Sequence, residues 1–135
     1  MANKVYPKFK KALLDGNAPD LLTADVKIAL IDLGAYAYSD AHEFLSDIAG
    51  GAMVATTPAL ANKAVGDLAA FDSDDPTFAD VSGNHSEAIV GFVDTGVAGT
   101  SRLIFFQDTG VTGLPITPNG GDITIAVDAG GWFVL

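Results

Sequence analysis

The stretch from residue 87 to residue 107 reads EAIVGFVDTGVAGTSRLIFFQ. It contains two apolar runs, 88–93 and 103–106, which are separated by a polar segment with several glycines. Both runs are short and rich in β-branched or aromatic residues, which favours strands. Since neither run alternates with polar residues, both faces of each strand must be covered, by other layers of the chain or by another subunit. The stretch therefore predicts two successive strands of an antiparallel, β-rich domain.

The turn chemistry that follows each run is repeated. Residues 92–99 and 106–113 agree at six of eight positions, at an offset of 14 residues. The offset fits one strand plus one loop, and Asp-Thr-Gly is a good turn sequence because Asp and Thr bond nearby amides and Gly adopts positive φ. Aspartic proteases use the same tripeptide to pair two carboxylates. Asp94 and Asp108, however, should fall at opposite ends of a meander of alternating strands, so we expect turns and not a protease dyad.

The rest of the chain extends this pattern. A strand is expected at 26–33, and beyond residue 52 short β-prone runs alternate with Gly, Asp, Asn and Pro clusters, which predicts an antiparallel β-sandwich or barrel-like domain. The chain is expected to form a single domain over 1–135, with an N-terminal helical arm at 1–16 and a β-rich body at 17–135. The later β-prone runs lie near 53–57, 62–71, 77–82, 87–93, 102–107, 122–127 and 131–135.

Two short helices are expected. The first has an apolar stripe through Val5, Phe9, Ala12 and Leu13, with Asn3 as its N-cap and Gly16 as its stop. The second is expected at about 40–48, where Asp40 and Glu43 have the spacing of a capping box.

Composition excludes several classes of function. The 135 residues carry 17 acids against 7 bases, for a formal charge of −10, which should repel nucleic acid and anionic membrane surfaces. The chain has no cysteine and only two histidines, so neither a disulfide nor a thiolate or multi-histidine metal centre is expected. Charged residues make up only 18% and apolar residues 49%. This balance predicts apolar surface for an interface, so we expect a homo-oligomer or docking on a larger body. The alternative is that Ala and Gly raise the apolar count without forming a patch.

Weaker signals do not add a catalytic site. The acidic segment 72–75 lacks the Gly and Glu that an EF-hand requires at its sixth and twelfth positions, so it is either a solvated turn or a weak cation site. His85, Ser86 and Asp80 are close in sequence without a nucleophile elbow, and His42 lies beside a glutamate. We therefore expect no catalytic residue, no cofactor and no enzyme activity.

Two terminal segments are candidate contacts with a partner. Residues 1–11 hold four of the seven bases and no acid, so they either form a solvated face or dock on an acidic neighbour. The sequence ends in four apolar residues, 132–135, which should be tied down as a strand or buried in a partner. The candidate interface residues are Lys4, Tyr6, Lys8, Lys10, Lys11, Trp132, Phe133, Val134 and Leu135.

Four segments resemble a family of small virion structural proteins from tailed double-stranded DNA bacteriophages. They are VYPKFKKALL at 5–14, VKIALID at 26–32, AHEFLSDI at 41–48 and DTGVTGLPITPNGGDIT at 108–124, and together they span almost the whole chain. The resemblance brings no catalytic residue. It implies a capsid decoration (cement) protein whose partners are the major capsid protein and further copies of itself, a trimer being suited to a capsid three-fold axis.

The same resemblance implies a location on the capsid exterior after synthesis in the host bacterial cytoplasm. In keeping with this, the start lacks the apolar stretch of a signal peptide, and no apolar run approaches the ~18 residues that span a bilayer. Two alternatives stay open. One is a tail or head–tail junction protein, and the other is a carbohydrate- or cell-binding module that would use Tyr36, Tyr38 or Trp132.

Overall fold

The computed structural model describes residues 3–135, and it is mainly β with antiparallel sheets and one α-helix near the N-terminus. This confirms the fold class that the sequence predicts. In chain order the elements are β1 (Lys4–Val5), α1 (Pro7–Asp15), β2 (Val26–Ile31), β3 (Met53–Thr56), β4 (Ala64–Val65), β5 (Ala70–Asp72), β6 (Thr77–Phe78), β7 (Ala88–Val93), β8 (Leu103–Gln107), β9 (Ile123–Thr124) and β10 (Phe133–Val134).

The main sheet has five strands in the order β1-β8-β7-β2-β3. Strand β7 lies at its centre and pairs antiparallel with β2 over six residues, from Val26 opposite Val93 to Ile31 opposite Ala88. All six residues of β7 are buried, and so are four of the five in β8. The two apolar runs are therefore covered on both faces by the chain itself, which leaves neither of them free for another subunit.

One face of the main sheet packs against a second layer. This layer contains the three-stranded sheet β10-β5-β4. The ring of Phe105 stacks on that of Trp132 at a centroid distance of 5.4 Å and contacts Phe133 at 5.7 Å. The antiparallel sheets and these contacts make the domain sandwich-like.

The opposite face is covered by the segment that follows β2. Phe106 points to this side, where its ring lies 5.2 Å from Tyr38 and 6.3 Å from Tyr36. Tyr6 completes the cluster at 5.1 Å from Tyr38. The segment between β2 and β3 therefore provides the covering layer that an open sheet face needs.

The first helix begins later than the sequence predicts. Asn3 is not its N-cap: the Asn3 side chain accepts the backbone N–H groups of Asp108 and Thr109, while residues 4–5 pair with β8. Pro7 opens the helix, a position where its missing N–H costs nothing. Gly16 does end it, at φ 80°. Residues 1–2 of the expected arm lie outside the described residues, and the remainder packs on the core, since Phe9 and Ala12 are buried.

The prediction of a second helix at about 40–48 is wrong. Residues 40–44 form no helix, and the chain then makes only short 3-10 turns at Leu45–Asp47 and Gly50–Ala52. The reason is tertiary: Leu45 N–H donates to Ser101 and Leu103 N–H to Glu43, which ties this segment to the start of β8. Some of the later runs also give shorter strands than predicted. The 62–71 run, for example, divides into β4 and β5.

Candidate interaction surface

The predicted interface residues separate into two groups in the structure. Tyr6 and Trp132, which the sequence predicts as interface residues, do not lie on the surface of this chain, because their side chains are only 0% and 4% exposed. The Tyr6 hydroxyl shares a 2.8 Å hydrogen bond with that of Tyr36, and burial raises the pKa of Tyr6 far above its usual value. Trp132 donates its indole N–H to the Ser73 hydroxyl at 2.9 Å. Both side chains serve the fold of this chain, and large amphipathic aromatics are buried in this way when their polar atoms find partners.

The four lysines lie on different parts of the surface. Lys4 lies over the Tyr38 ring at 5.8 Å, and Lys11 forms an i,i+4 ion pair of 2.7 Å with Asp15. Lys8 is half-buried and Lys10 is exposed. The basic segment is therefore partly neutralised within the chain. A free lysine cluster does not form, although Lys4 and Lys10 do line one groove.

That groove is lined by residues of β1 and β10, among others, and has a volume of about 490 Å³. Lys4 and Lys10 bring positive charge to it, and Asp40 and Gln107 bring acceptors. Val134, which is 57% exposed, forms part of its wall. We call it the basic groove.

The C-terminal residues form a strand, which confirms one of the two alternatives predicted for this segment. Phe133 pairs with Phe71 and Val134 with Ala70, and Leu135 N–H donates to Ala69. Phe133 is half-buried against Phe71, whereas the side chains of Val134 and Leu135 point mostly into solvent. The end of the chain thus contributes to the core and to the surface at the same time.

A second surface was not predicted by sequence reasoning. We call it the apolar face, and it consists of large apolar side chains from α1, the turn after it, β4 and the C-terminus, each at least 40% exposed. Its members are Leu13, Leu14, Leu22, Val65 and Leu135. A signal for part of it was available, because Leu14 falls outside the apolar stripe of the first helix and had to face solvent.

Two shallow grooves run into each other along the apolar face. One, of about 270 Å³, contains Asp20, Leu22 and Val65 in its wall. The other, of about 400 Å³, contains Lys10 and Leu14. Leu13 and Leu135 line both, so they mark the middle of the face.

The two Asp-Thr-Gly segments are turns at opposite ends of adjacent strands, as predicted. Asp94 follows β7, where its carboxylate pairs with Lys27 at 2.7 Å and accepts the Gly96 N–H at 2.9 Å. The Lys27 ammonium and this N–H lower the pKa of Asp94. Asp108 follows β8, at the end near Asn3. The register of β7 against β8 keeps the two carboxylates apart, which is incompatible with a shared proton.

The acidic segment 72–75 directs its carboxylates to different partners. The Asp74 carboxylate accepts from the Asn62 amide, and that of Asp75 accepts from the Val127 N–H. Residues 3–135 contain no group of three or more His, Asp or Glu side chains placed to hold a metal ion. In this geometry the Asp74 and Asp75 carboxylates act as local hydrogen-bond acceptors within a turn.

The histidines are engaged in local hydrogen bonds. His42 bonds the Tyr36 hydroxyl through Nδ1 at 2.8 Å, and His85 bonds the Thr117 hydroxyl at the same distance. Ser86 donates its hydroxyl proton to the Asn84 carbonyl and is buried. These contacts do not join His85 and Ser86 into a nucleophile–base pair.

Within the described part of the chain, no helix is both long and apolar enough to cross a membrane. Searches for related sequences found no match to a protein-family model or to a curated protein. The likeness to phage structural proteins therefore rests on the four sequence segments alone.

Proposed function

We propose that this chain is a non-enzymatic structural protein of a bacteriophage virion, which binds the exterior of the mature capsid and stabilises it. The observation that carries the proposal is the surface that remains after a two-layer fold has closed, where exposed apolar side chains lie beside a groove with two lysines. Patches of this kind are typical of sites where one protein docks on another. The resemblance of the four segments to phage structural proteins supplies the identity of the partner, the major capsid protein.

The charge distribution fits this role. An acidic protein is repelled by the DNA that a capsid packages, so it would stay available for the outer surface of the shell. On a shell with many equivalent sites, contacts that are weak one at a time sum to a large stabilisation when copies are linked. We assign the shell contact to the basic groove, because its lysines would attract an acidic patch of a capsid subunit.

The direct test is to add the purified protein to mature shells that lack it. We expect the protein to co-sediment with the shells and to raise the temperature at which they release DNA. Lys4→Glu should weaken binding, since it reverses a charge in the basic groove at a residue that does not line the apolar face. Val97→Glu is the control for added negative charge, because Val97 is 61% exposed in the loop after β7 and lies outside the groove.

Shells that neither bind the wild-type protein nor gain resistance to heat or osmotic shock would contradict the proposal. Copy number in purified particles separates the head from the tail: hundreds of copies indicate the shell, and a few tens indicate a tail or head–tail junction protein. The carbohydrate-binding alternative receives less support, because Tyr36 and Trp132 are buried and only Tyr38 is partly accessible.

A further inference from the structure

The fold of this chain leaves the side chains of the apolar face largely uncovered. Leu14 is 90% exposed, and its neighbours on the face are between 40% and 55% exposed. Single exposed leucines are ordinary on a protein surface, but here five large apolar side chains from four parts of the chain lie along two connected grooves. A covering partner would bury them together.

The charges at the two ends of the face indicate which partner covers it. Lys10 lies at one end, beside Leu14, and Asp20 lies at the other, beside Leu22. Neither side chain forms an ion pair with another described residue. The Asp20 carboxylate accepts only the N–H of Leu22, at 2.9 Å, and because Asp20 is exposed this carboxylate keeps acceptor capacity for a cation.

A face with opposite charges at its ends is complementary to itself. When a second copy is rotated by a two-fold axis through the middle of the face, Lys10 of each chain meets Asp20 of the other. Leu13 and Leu135, which lie between these ends, then meet their own counterparts near the axis. Two-fold contacts of this isologous kind are the commonest in soluble homo-oligomers.

We propose that a second copy of this chain covers the apolar face through a two-fold contact, with Lys10 of each copy opposite Asp20 of its partner. The inference rests on the proposed function, in which many copies share one shell, and it assigns the contact between copies. Because Lys10 and Val134 line both the apolar face and the basic groove, the dimer would leave Lys4 as the lysine of that groove for a capsid subunit. A partner with a single sign of charge fits the face less well, because one of the two ends would repel it.

Sedimentation equilibrium of the purified wild-type protein, from micromolar to millimolar concentration, tests the contact without any shell. We expect a monomer–dimer equilibrium. Leu14→Asp should raise the dimer dissociation constant by about tenfold or more, equivalent to about 1.4 kcal/mol. Leu68→Asp is the matched control with no expected effect, because Leu68 is 82% exposed at the tip of the β4–β5 hairpin and lines neither groove.

Charge reversal tests the pairing itself. Lys10→Glu and Asp20→Lys should each weaken the dimer, and the double variant should recover most of the wild-type affinity, since it restores opposite charges at both contacts. Asp20→Asn controls for the turn, because its side-chain oxygen can still accept the Leu22 N–H. Circular dichroism of every variant checks that the monomer remains folded.

Three results would overturn the inference: a wild-type monomer at millimolar concentration, a trimer or higher ring as the only oligomer, or a double reversal that is no tighter than the single ones. These outcomes are independent of shell binding. A monomer that still binds shells would retain the proposed function and remove the dimer, whereas a dimer that ignores shells would do the reverse.

Discussion

Gly91 shows how a single residue determines the packing of the sandwich-like domain. It lies between Ile28 and Phe105 in the main sheet, and a Cβ atom added to it would lie 2.2 Å from the ring of Phe105. No real Cβ contact is that short, so a larger residue would displace the ring from its stack on Trp132. A glycine within a strand often marks such a close approach.

We therefore expect Gly91→Ala to destabilise the protein by about 3 kcal/mol, at the upper end of the range for overpacked cores. Urea denaturation followed by tryptophan fluorescence measures the change. Gly51→Ala is the control, because a Cβ at Gly51 meets no atom within 4 Å. Replacing Phe105 with Leu in the Gly91→Ala background should recover part of the loss. Equal stability of the two alanine variants would contradict this account.

At the scale of elements, the central strands could be predicted from sequence, whereas the 40–48 segment could not. Strands β7 and β8 contain uninterrupted apolar runs at 88–93 and 103–106, and β2 contains one at 28–31, after Lys27. Only a strand covered on both faces can accommodate such runs. In the 40–48 segment, the local capping pattern of Asp40 and Glu43 competes with contacts to residues 101–103, which are distant in sequence. Periodicity contains no information about such partners.

The carboxylate that organises this segment is Asp47. It accepts the N–H groups of Glu43 and Phe44 at 2.7 and 3.0 Å, so it caps the 3-10 turn that replaces the expected helix. These two backbone hydrogen bonds lower the pKa of Asp47, and the bond from the Glu43 N–H has the larger effect. A carboxyl whose pKa is lower in the folded state stabilises the protein above the unfolded pKa of about 4, and that stabilisation is lost as the pH falls through the folded value.

We expect Asp47→Ala to cost about 1 kcal/mol at neutral pH, the usual value for a lost cap. Asp47→Asn should cost less, since one acceptor oxygen remains. The difference in unfolding free energy between the wild type and Asp47→Asn should shrink as the pH is lowered below about 4. Thermal unfolding across that range measures it, and a difference that stays constant with pH would show that the Asp47 charge does not contribute.

At the scale of the whole molecule, the accessible surface area is ordinary, but the number of large apolar side chains on that surface is unusual. The accessible area of 6545 Å² is close to the roughly 6,600 Å² expected for a compact monomer of this mass. The low charge content predicted exposed apolar side chains, and the structure has them. Apart from Leu14, their convergence on one face could not be predicted, because it depends on how α1, β4 and the C-terminus meet and not on any one segment.

The role of Trp132 also depends on the packing of the whole molecule. Sequence analysis predicts it in an interface, whereas in the structure it is buried in the core. Its ring covers Phe105, and its backbone N–H donates to Phe71 at 2.7 Å, so it ties the second layer to the main sheet. We expect Trp132→Ala to cost about 3–5 kcal/mol, as for other buried aromatics, which is a large part of a typical total stability of about 5–15 kcal/mol.

Chemical denaturation monitored by circular dichroism distinguishes this core role from an interface role. Val134→Ala, two residues along at a mainly exposed position, should change the unfolding free energy by less than about 0.5 kcal/mol. If Trp132 served only a partner, its alanine variant would unfold like the wild type and lose only association. A loss of stability in the dilute monomer would instead show that Trp132 closes the fold, and that contacts with other molecules depend on the side chains around it.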